Sequence, residues 1–371
     1  MKKKFTLIEE IENKILKNDL CFSCGLCVSS HNYDEAKMVT NYGKPMPSFS
    51  SNVSKDIDQD LFNACPANTL NYYDLYKNFY KKFPDNWLLG ITESLFLGWS
   101  NDYKNHKHFS SAGIITEVLI YLLKNKLIDA AILIKQSNKN PTGGEYFFAR
   151  TETEIRQSSQ SVYTAVSNLD SFRDFKVNEN YAITTLPEQS AAIRYLQVNK
   201  NLKALQIKYI LGPYTGTMLS SNFLNSLKLK YKINKFDKID EFKWRDGNWP
   251  GSLLVNYKSG KSISIPKIYY NYLIPFYISK ISLNSMDFVN EFADLAVGDA
   301  WSPIVEKKGK AKSIVNVRNQ ELNKILNIMK NKSIISLESI NENFALSMHG
   351  HMLDFKKRGS YIRMLIKRKF N

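Results

Sequence analysis

An α/β (α+β) fold is predicted for this chain: a small N-terminal cysteine module, then a mixed sheet flanked by helices. Three observations predict it. All four cysteines fall within the first 65 of 371 residues, as Cys21-Phe-Ser-Cys24-Gly-Leu-Cys27 and then Cys65-Pro66. From about residue 90 onward, short apolar runs alternate with stretches of helical periodicity, the rhythm of a sheet layered between helices. No stretch is long and apolar enough to cross a bilayer; Ile268 to Ile281 comes nearest, but Asn271, Pro275 and Lys280 interrupt it.

The elements follow in order. Ile8 to Leu20 is broken by Glu9, Glu10, Glu12, Lys14, Lys17 and Asp19, and is predicted to be an amphipathic surface helix. Asn71 to Pro84 is a polar and aromatic connector, which divides residues 1–75 from residues 85–371. Ile114, Ile115, Val118, Leu119, Leu122 and Leu123 recur at helical spacing. Ala130 to Ile134 and Tyr181 to Leu186 have strand character, and Pro187 then stands at a first helical position. Leu205 to Leu211 is a third strand, and Met218 to Leu229 is predicted as helix. Lys258-Ser-Gly260 lies between alternating runs in Leu253 to Ile265 and predicts a hairpin. Leu295 to Val297 and Ile314 to Val317 are further strands, and Asn319 caps a helix through Met329.

The cysteine pattern carries the most chemistry. A C-x2-C-x2-C turn aims three thiolates at three irons of a 4Fe-4S cubane, and a distant Cys-Pro closes the fourth corner. Cys21, Cys24, Cys27 and Cys65 are therefore the expected metal ligands. A zinc site is the main rival, but zinc usually takes two separate C-x2-C knuckles. Disulfides are disfavoured by the crowding of three cysteines and by the lack of a secretory apolar run behind Met-Lys-Lys-Lys-Phe. A reducing, cytoplasmic location is expected.

The formal net charge is +16. Such a field draws acidic partners and speeds their encounter. An acidic ferredoxin-like electron donor fits it, and so does peripheral contact with an anionic membrane. Nucleic acid is disfavoured, because no aromatic–basic recognition motif accompanies the charge. The basic end, Lys356, Lys357, Arg358, Arg363, Lys367, Arg368 and Lys369, is read first as a solvated helix face. Among the histidines, His106 and His108 are read as surface residues, and His349-Gly-His351 as a weak metal candidate. Asp299 ends a short apolar run, where α/β proteins place ligand contacts.

The order of motifs behind the cysteines resembles the FrhB-like family, the beta subunits of coenzyme F420 hydrogenases and dehydrogenases and their relatives. The motifs are Phe109-Ser110-Ser111-Ala112-Gly113-Ile114-Ile115-Thr116, Leu127-Ile128-Asp129-Ala130, Ser159-Gln160-Ser161-Val162-Tyr163 and Thr185-Leu186-Pro187-Glu188-Gln189. Gly212-Pro213-Tyr214, Trp244-Arg245-Asp246-Gly247 and Ala293 to Trp301 complete the order. The resemblance implies an iron–sulfur flavoprotein oxidoreductase that moves electrons between a donor, the cluster, a flavin and a small-molecule substrate. FAD is the implied flavin, with FMN as the alternative. Ser110, Ser111, Gly113 and Thr116 would hold the flavin's pyrophosphate at a helix start, with Tyr163, Pro187, Gln189 and Asp299 as further contacts. The plain alternative for the serines is an ordinary helix cap. By the same resemblance the substrate is a small organic molecule, with sugars and nucleotide-sugars of polysaccharide biosynthesis among the candidates. A non-enzymatic electron-transfer subunit of a larger complex is the alternative.

Three departures from the family pattern stand out. Ser282 and Ser285 occupy positions where relatives often carry a second cysteine pair. Glu188 replaces the cysteine of a Pro-Cys-Gln turn, and Ala112 stands where many relatives have glycine. No second cluster is expected.

Overall fold

The computed structural model describes residues 6–41, 43–68, 70–104, 109–137, 139–302 and 311–370. His106 and His108, and the basic Lys2 to Lys4, lie outside them. The predicted α/β architecture is what the chain adopts.

Thirteen strands are seen among the described residues. The N-terminal module carries a hairpin, β1 (Ala36–Asn41) against β2 (Lys44–Phe49). The main sheet has eight strands in the order β13-β3-β12-β11-β7-β6-β4-β5. Its members are β3 (Ser94–Ser100), β4 (Ala130–Gln136), β5 (Gly144–Ala149), β6 (Tyr181–Thr184), β7 (Ile207–Pro213), β11 (Leu295–Asp299), β12 (Ser313–Val317) and β13 (Ile335–Ser339). The four central neighbours β11, β7, β6 and β4 run parallel, and the outer strands pair antiparallel. A smaller antiparallel sheet has the order β10-β9-β8, from β8 (Ile239–Asp246), β9 (Ser252–Tyr257) and β10 (Ser262–Pro266).

The parallel strands are buried on both faces, so they read as continuous apolar runs rather than alternating ones. In β4 the pleat sends Ala131 and Leu133 to one face and Ala130 and Ile132 to the other. The first face is covered by the helices Ile114–Lys124 and Gln320–Asn331, through Val118, Leu119, Leu122, Leu322, Leu326 and Met329. The second is covered by the helix Pro187–Val198 and by Ile11, Ile15, Leu61 and Phe62 of the cysteine module. Each of these fully buried side chains stabilises the fold by about 1.5–3 kcal/mol relative to exposure. The cysteine module thus shares a core with the sheet.

Two expectations are corrected here. Met218 to Leu229 is not one helix, because Met218 N–H donates to Ser282 Oγ (2.7 Å) and Leu219 bridges to Ile278; the helix begins only at Phe223. The basic C-terminal run is not simply a solvated face. Lys356 is fully buried, its Nζ donating to the Ser282 carbonyl (3.0 Å), and Lys357 pairs with Glu291. The N-terminal helix is amphipathic as expected, but only Leu7–Glu10 is regular, and Ile11–Leu16 continues it as a wider π turn that buries Ile11 and Ile15.

Candidate functional site

The cysteine loop is curled by residues in the left-handed region: Asp19, Ser23 and Gly25 all have positive φ. Gly25 is needed for a second reason. A Cβ there would come within 2.9 Å of Asp170 Cβ and backbone N. The close approach lets Leu169 N–H donate to the Cys24 carbonyl (2.9 Å), which ties the loop to the segment Asn168–Asp174. Cys65 arrives from the other side, just after the helix Gln59–Asn63. All four cysteines are free and line one small cavity with Ile11, Ile15, Leu26, Leu61 and Pro66.

Burial pushes every one of the four thiols up, Cys65 to about 12. Neighbouring thiols add to the shift at Cys24 and Cys27. Thiolates gathered in so apolar a place require a cationic group to bind.

The cavity of the main sheet, about 300 Å³ and hereafter the main cavity by that position, opens at the carboxyl ends of the parallel strands. It is lined there by Leu133 and Ile134 of β4, Thr184 of β6, Pro213 of β7, and Val297 to Asp299 of β11. This is where open α/β sheets place their ligands. The helix Ile114–Lys124 starts on its wall, with Gly113 at the cap in the left-handed region (φ 79°) and no side-chain capping bond. The first-turn amides there are left for a ligand or water.

Six of the eight sequence-derived contacts line this cavity: Ser110, Ser111, Gly113, Thr116, Tyr163 and Asp299. Ser110 Oγ accepts from Ser161 N–H (2.6 Å), joining two of the motifs noted above. Ser111 Oγ shares a hydrogen bond with Ser313 Oγ (2.8 Å). Tyr163 packs edge-on to Trp244. Pro187 and Gln189 are not among the lining residues. Gln189 instead accepts from Leu186 N–H (2.9 Å) and donates to the Val166 carbonyl (3.2 Å), bracing the turn whose Leu186 does face the cavity.

Asp299 is engaged on every side. Arg245 Nη1 donates to Oδ2 (2.8 Å), Trp249 Nε1 to Oδ1 (3.2 Å), and His349 Nε2 to the backbone carbonyl (2.8 Å). His349 is buried against Tyr214 and Phe288, and burial lowers it to about 4. It is therefore a neutral packing residue at ordinary pH. Arg245 was not singled out from the sequence as a site residue. An arginine inside the apolar alternation Phe242-Lys-Trp244 of β8 was the available signal.

Glu188, Ser282 and Ser285 meet in space, while Ala112 lies apart, beside Ser313 and Ser100. Glu188 is buried at the start of the helix Pro187–Val198, hydrogen-bonded to Ser285 and attracted by Lys356. Lys356 holds the carbonyl of Ser282. Burial raises Glu188 and lowers Lys356, the latter to about 8. Beside them lie Asp287, fully buried, and Glu291, which is held by Tyr76 and Lys357. Glu188, Lys356, Asp287 and Glu291 together form a buried charged cluster.

No helix of the described residues is long and apolar enough to cross a membrane. Models of the coenzyme F420 hydrogenase/dehydrogenase beta subunit match residues 95–173 (N-terminal part) and 178–343 (C-terminal part). The coenzyme F420-dependent sulfite reductase of Methanocaldococcus jannaschii is 25% identical over 244 residues, 62% of this chain and 36% of that protein. The chain thus spans about a third of that relative's length. A chain of the F420-reducing NiFe hydrogenase complex from Methanosarcina barkeri superposes with a TM-score of 0.58 at 17% identity, over 74% of this chain and 94% of that one. At that identity the likeness speaks for the fold. With both halves of the family pattern matched in order, the chain belongs to the coenzyme F420 hydrogenase/dehydrogenase beta-subunit family, a family of oxidoreductases.

Proposed function

We propose that the protein is an iron–sulfur flavoprotein oxidoreductase, with a 4Fe-4S cluster on Cys21, Cys24, Cys27 and Cys65 and a flavin in the main cavity. The observation that carries this reading is the cavity at the parallel strand ends, opened by an uncapped helix N-terminus. A bound flavin exchanges a hydride with its substrate and single electrons with a cluster.

The residues supply binding and exclusion of water. Amides of the first turn of Ile114–Lys124, with the helix dipole, suit the flavin's pyrophosphate. Ser111 and Ser313 offer hydroxyls beside them, and Gly113 keeps the wall open. Leu133, Ile134 and Val297 form a dry floor for an aromatic ring system. Tyr163 and Asp299 stand at the end under the small sheet, while Pro187 and Gln189 act by bracing Leu186. FAD is the flavin proposed, with FMN as the alternative.

The division into a cluster module, residues 1–75, and an α/β flavin- and substrate-binding region, residues 85–371, is part of this proposal. So are a cytoplasmic location, an acidic ferredoxin-like donor, and a small organic substrate, a sugar or nucleotide-sugar of polysaccharide biosynthesis among them. A second reading, an electron-transfer subunit docked in a larger complex, is favoured by the coverage of nearly all of a hydrogenase-complex chain.

One anaerobic purification tests the proposal. The expected result is about four irons and four sulfides per chain, a flavin released on denaturation, and reductase activity in the isolated chain. One zinc per chain without sulfide would overturn the cluster assignment. No flavin, either bound on purification or taken up at micromolar concentration, would overturn the cavity assignment. Cofactors present but activity only in a co-purified assembly would select the second reading.

A further inference from the structure

The far end of the main cavity, under the small sheet, is electrostatically unlike the rest. Hydroxyls and apolar side chains make most of the lining, and among the described residues its Asp, Glu, Lys or Arg members are Arg245 and Asp299. Arg245 is 3% exposed. Its guanidinium is only partly engaged: Nε donates to the Pro250 carbonyl (2.8 Å), Nη1 binds Asp299, and Nη2 has no hydrogen-bond partner. Asp299 therefore neutralises Arg245 but leaves donor capacity unused.

A second cation stands just behind. Lys267, from the turn after β10, lies over the rings of Tyr163 (4.5 Å to the centroid) and Tyr270 (4.3 Å). Its polar contact is Asn271 Oδ1 (3.2 Å). Burial lowers its affinity for a proton, Arg245 repels it, and Asp299 attracts it. Among the described residues, Arg245 and Asp299 on the lining and Lys267 behind Tyr163 sum to one positive charge in excess. A half-buried excess charge with an unpaired N–H fork beside it favours an incoming anion, because the ligand supplies the missing partner.

Resting on the flavin reading above, we propose that Arg245 and Lys267 form an anion subsite for the second occupant of the cavity, the substrate. It takes a carboxylate or phosphate oxygen group, with Tyr163 against the adjoining part of the molecule. Asp299 tunes the subsite by holding Arg245 in place and competing with the ligand for its N–H groups. The substrate class is thereby narrowed to small anionic organic molecules.

The test is a titration of the purified holoprotein with inorganic pyrophosphate and, separately, succinate, read from tryptophan emission. Trp249 and Trp301 pack together 4.9 Å apart, and Trp249 is bonded to Asp299, so they report on this end. Saturable binding of at least one probe below about 10 mM is expected, and the stronger probe tells phosphate from carboxylate. Arg245→Gln should weaken it roughly tenfold or more, as loss of a charge-assisted hydrogen bond does. Lys267→Met leaves the Arg245–Asp299 contact intact and should also weaken it. Asp299→Asn should tighten it, a sign that a purely structural ion pair does not predict. No saturable response to either probe, or binding unaffected by Arg245→Gln, overturns the subsite. Loss of flavin together with probe binding in Arg245→Gln would assign the charge to the flavin's phosphate, overturning the substrate role while leaving the flavin reading standing. Wild-type protein that binds the probe but no flavin would do the reverse.

Discussion

Replacing Asp287 with Asn should remove the fall in stability with rising pH that this carboxyl imposes. Asp287 is fully buried, its Oδ2 accepts from Glu291 N–H (2.8 Å), and its Oδ1 has no partner. Burial first, then the Glu291 carboxylate, pushes its acid up from 3.8 to about 7, against the pull of Lys357. Between those values the native state keeps a proton that the unfolded chain has lost. Stability from this group is therefore full below about pH 4, falls as pH rises, and is gone above about pH 7. A shift of about three units amounts to at most about 4 kcal/mol over that window. Asn is neutral at every pH and retains an acceptor for Glu291 N–H, but it buries an extra N–H group at a cost of about 1–3 kcal/mol. The variant should thus be less stable than wild type by about 1 kcal/mol near pH 4.5 and more stable by about 2 kcal/mol near pH 8. Urea unfolding followed by circular dichroism, under anaerobic conditions across this range, would show the two stability curves crossing. Parallel curves would refute the argument, because they would mean that Asp287 titrates alike in both states.

Three further outcomes are expected. Cys24→Ser should lower the iron content and bleach the broad visible absorption; unchanged iron per chain would remove Cys24 from the ligand set. Ser111→Asp sets a carboxylate against the start of Ile114–Lys124, which should expel the flavin while thermal melting of the polypeptide persists; retained flavin would place the pyrophosphate elsewhere. Reversing the charge of the exposed Lys14 together with Lys17 should slow association with an acidic donor at low salt only. The Debye length falls from about 30 Å at 0.01 M to about 10 Å at 0.1 M, so a rate that is flat with salt would show that these lysines do not steer.

Much of the central layer was legible in the sequence because parallel strands are buried on both faces. Ala130 to Ile134 and Tyr181 onward are short apolar runs next to helices with clear periodicity, and Pro187 and Asn319 mark helix starts. Asn319 does cap, accepting from Leu322 N–H (3.1 Å). The strands that escaped have mixed signals. β2 contains two prolines and is held in an edge hairpin, and β3 carries Gly98 within it. Met218 and Leu219 have helical spacing but are captured by Ser282 and Ile278, contacts about 60 residues away in sequence that periodicity does not encode. In the site, the serine–glycine motif stood out through its resemblance to the family's motif, its residues alone reading as an ordinary helix cap. Arg245 and Lys356 were not, because their importance comes from burial, and a basic residue is ordinarily read as solvated.

The tie between the cysteine loop and the sheet bears on how this protein can be divided. Arg173, on the segment that also bonds Cys24, donates to the carbonyls of His31 (2.9 Å), Val28 (3.0 Å) and Ala36 (3.2 Å), with Asp170 as its counter-charge and the ring of Tyr33 stacked at 4.0 Å. One side chain from residue 173 thus fastens the backbone of the cysteine region at three points. A chimera cut within Asn71–Pro84 would carry the ligands across but leave their clamp behind. For redesign or transplantation, the indivisible unit is the first 70 or so residues together with Asn168–Asp174, two pieces of chain separated by about 100 residues of sheet and helix.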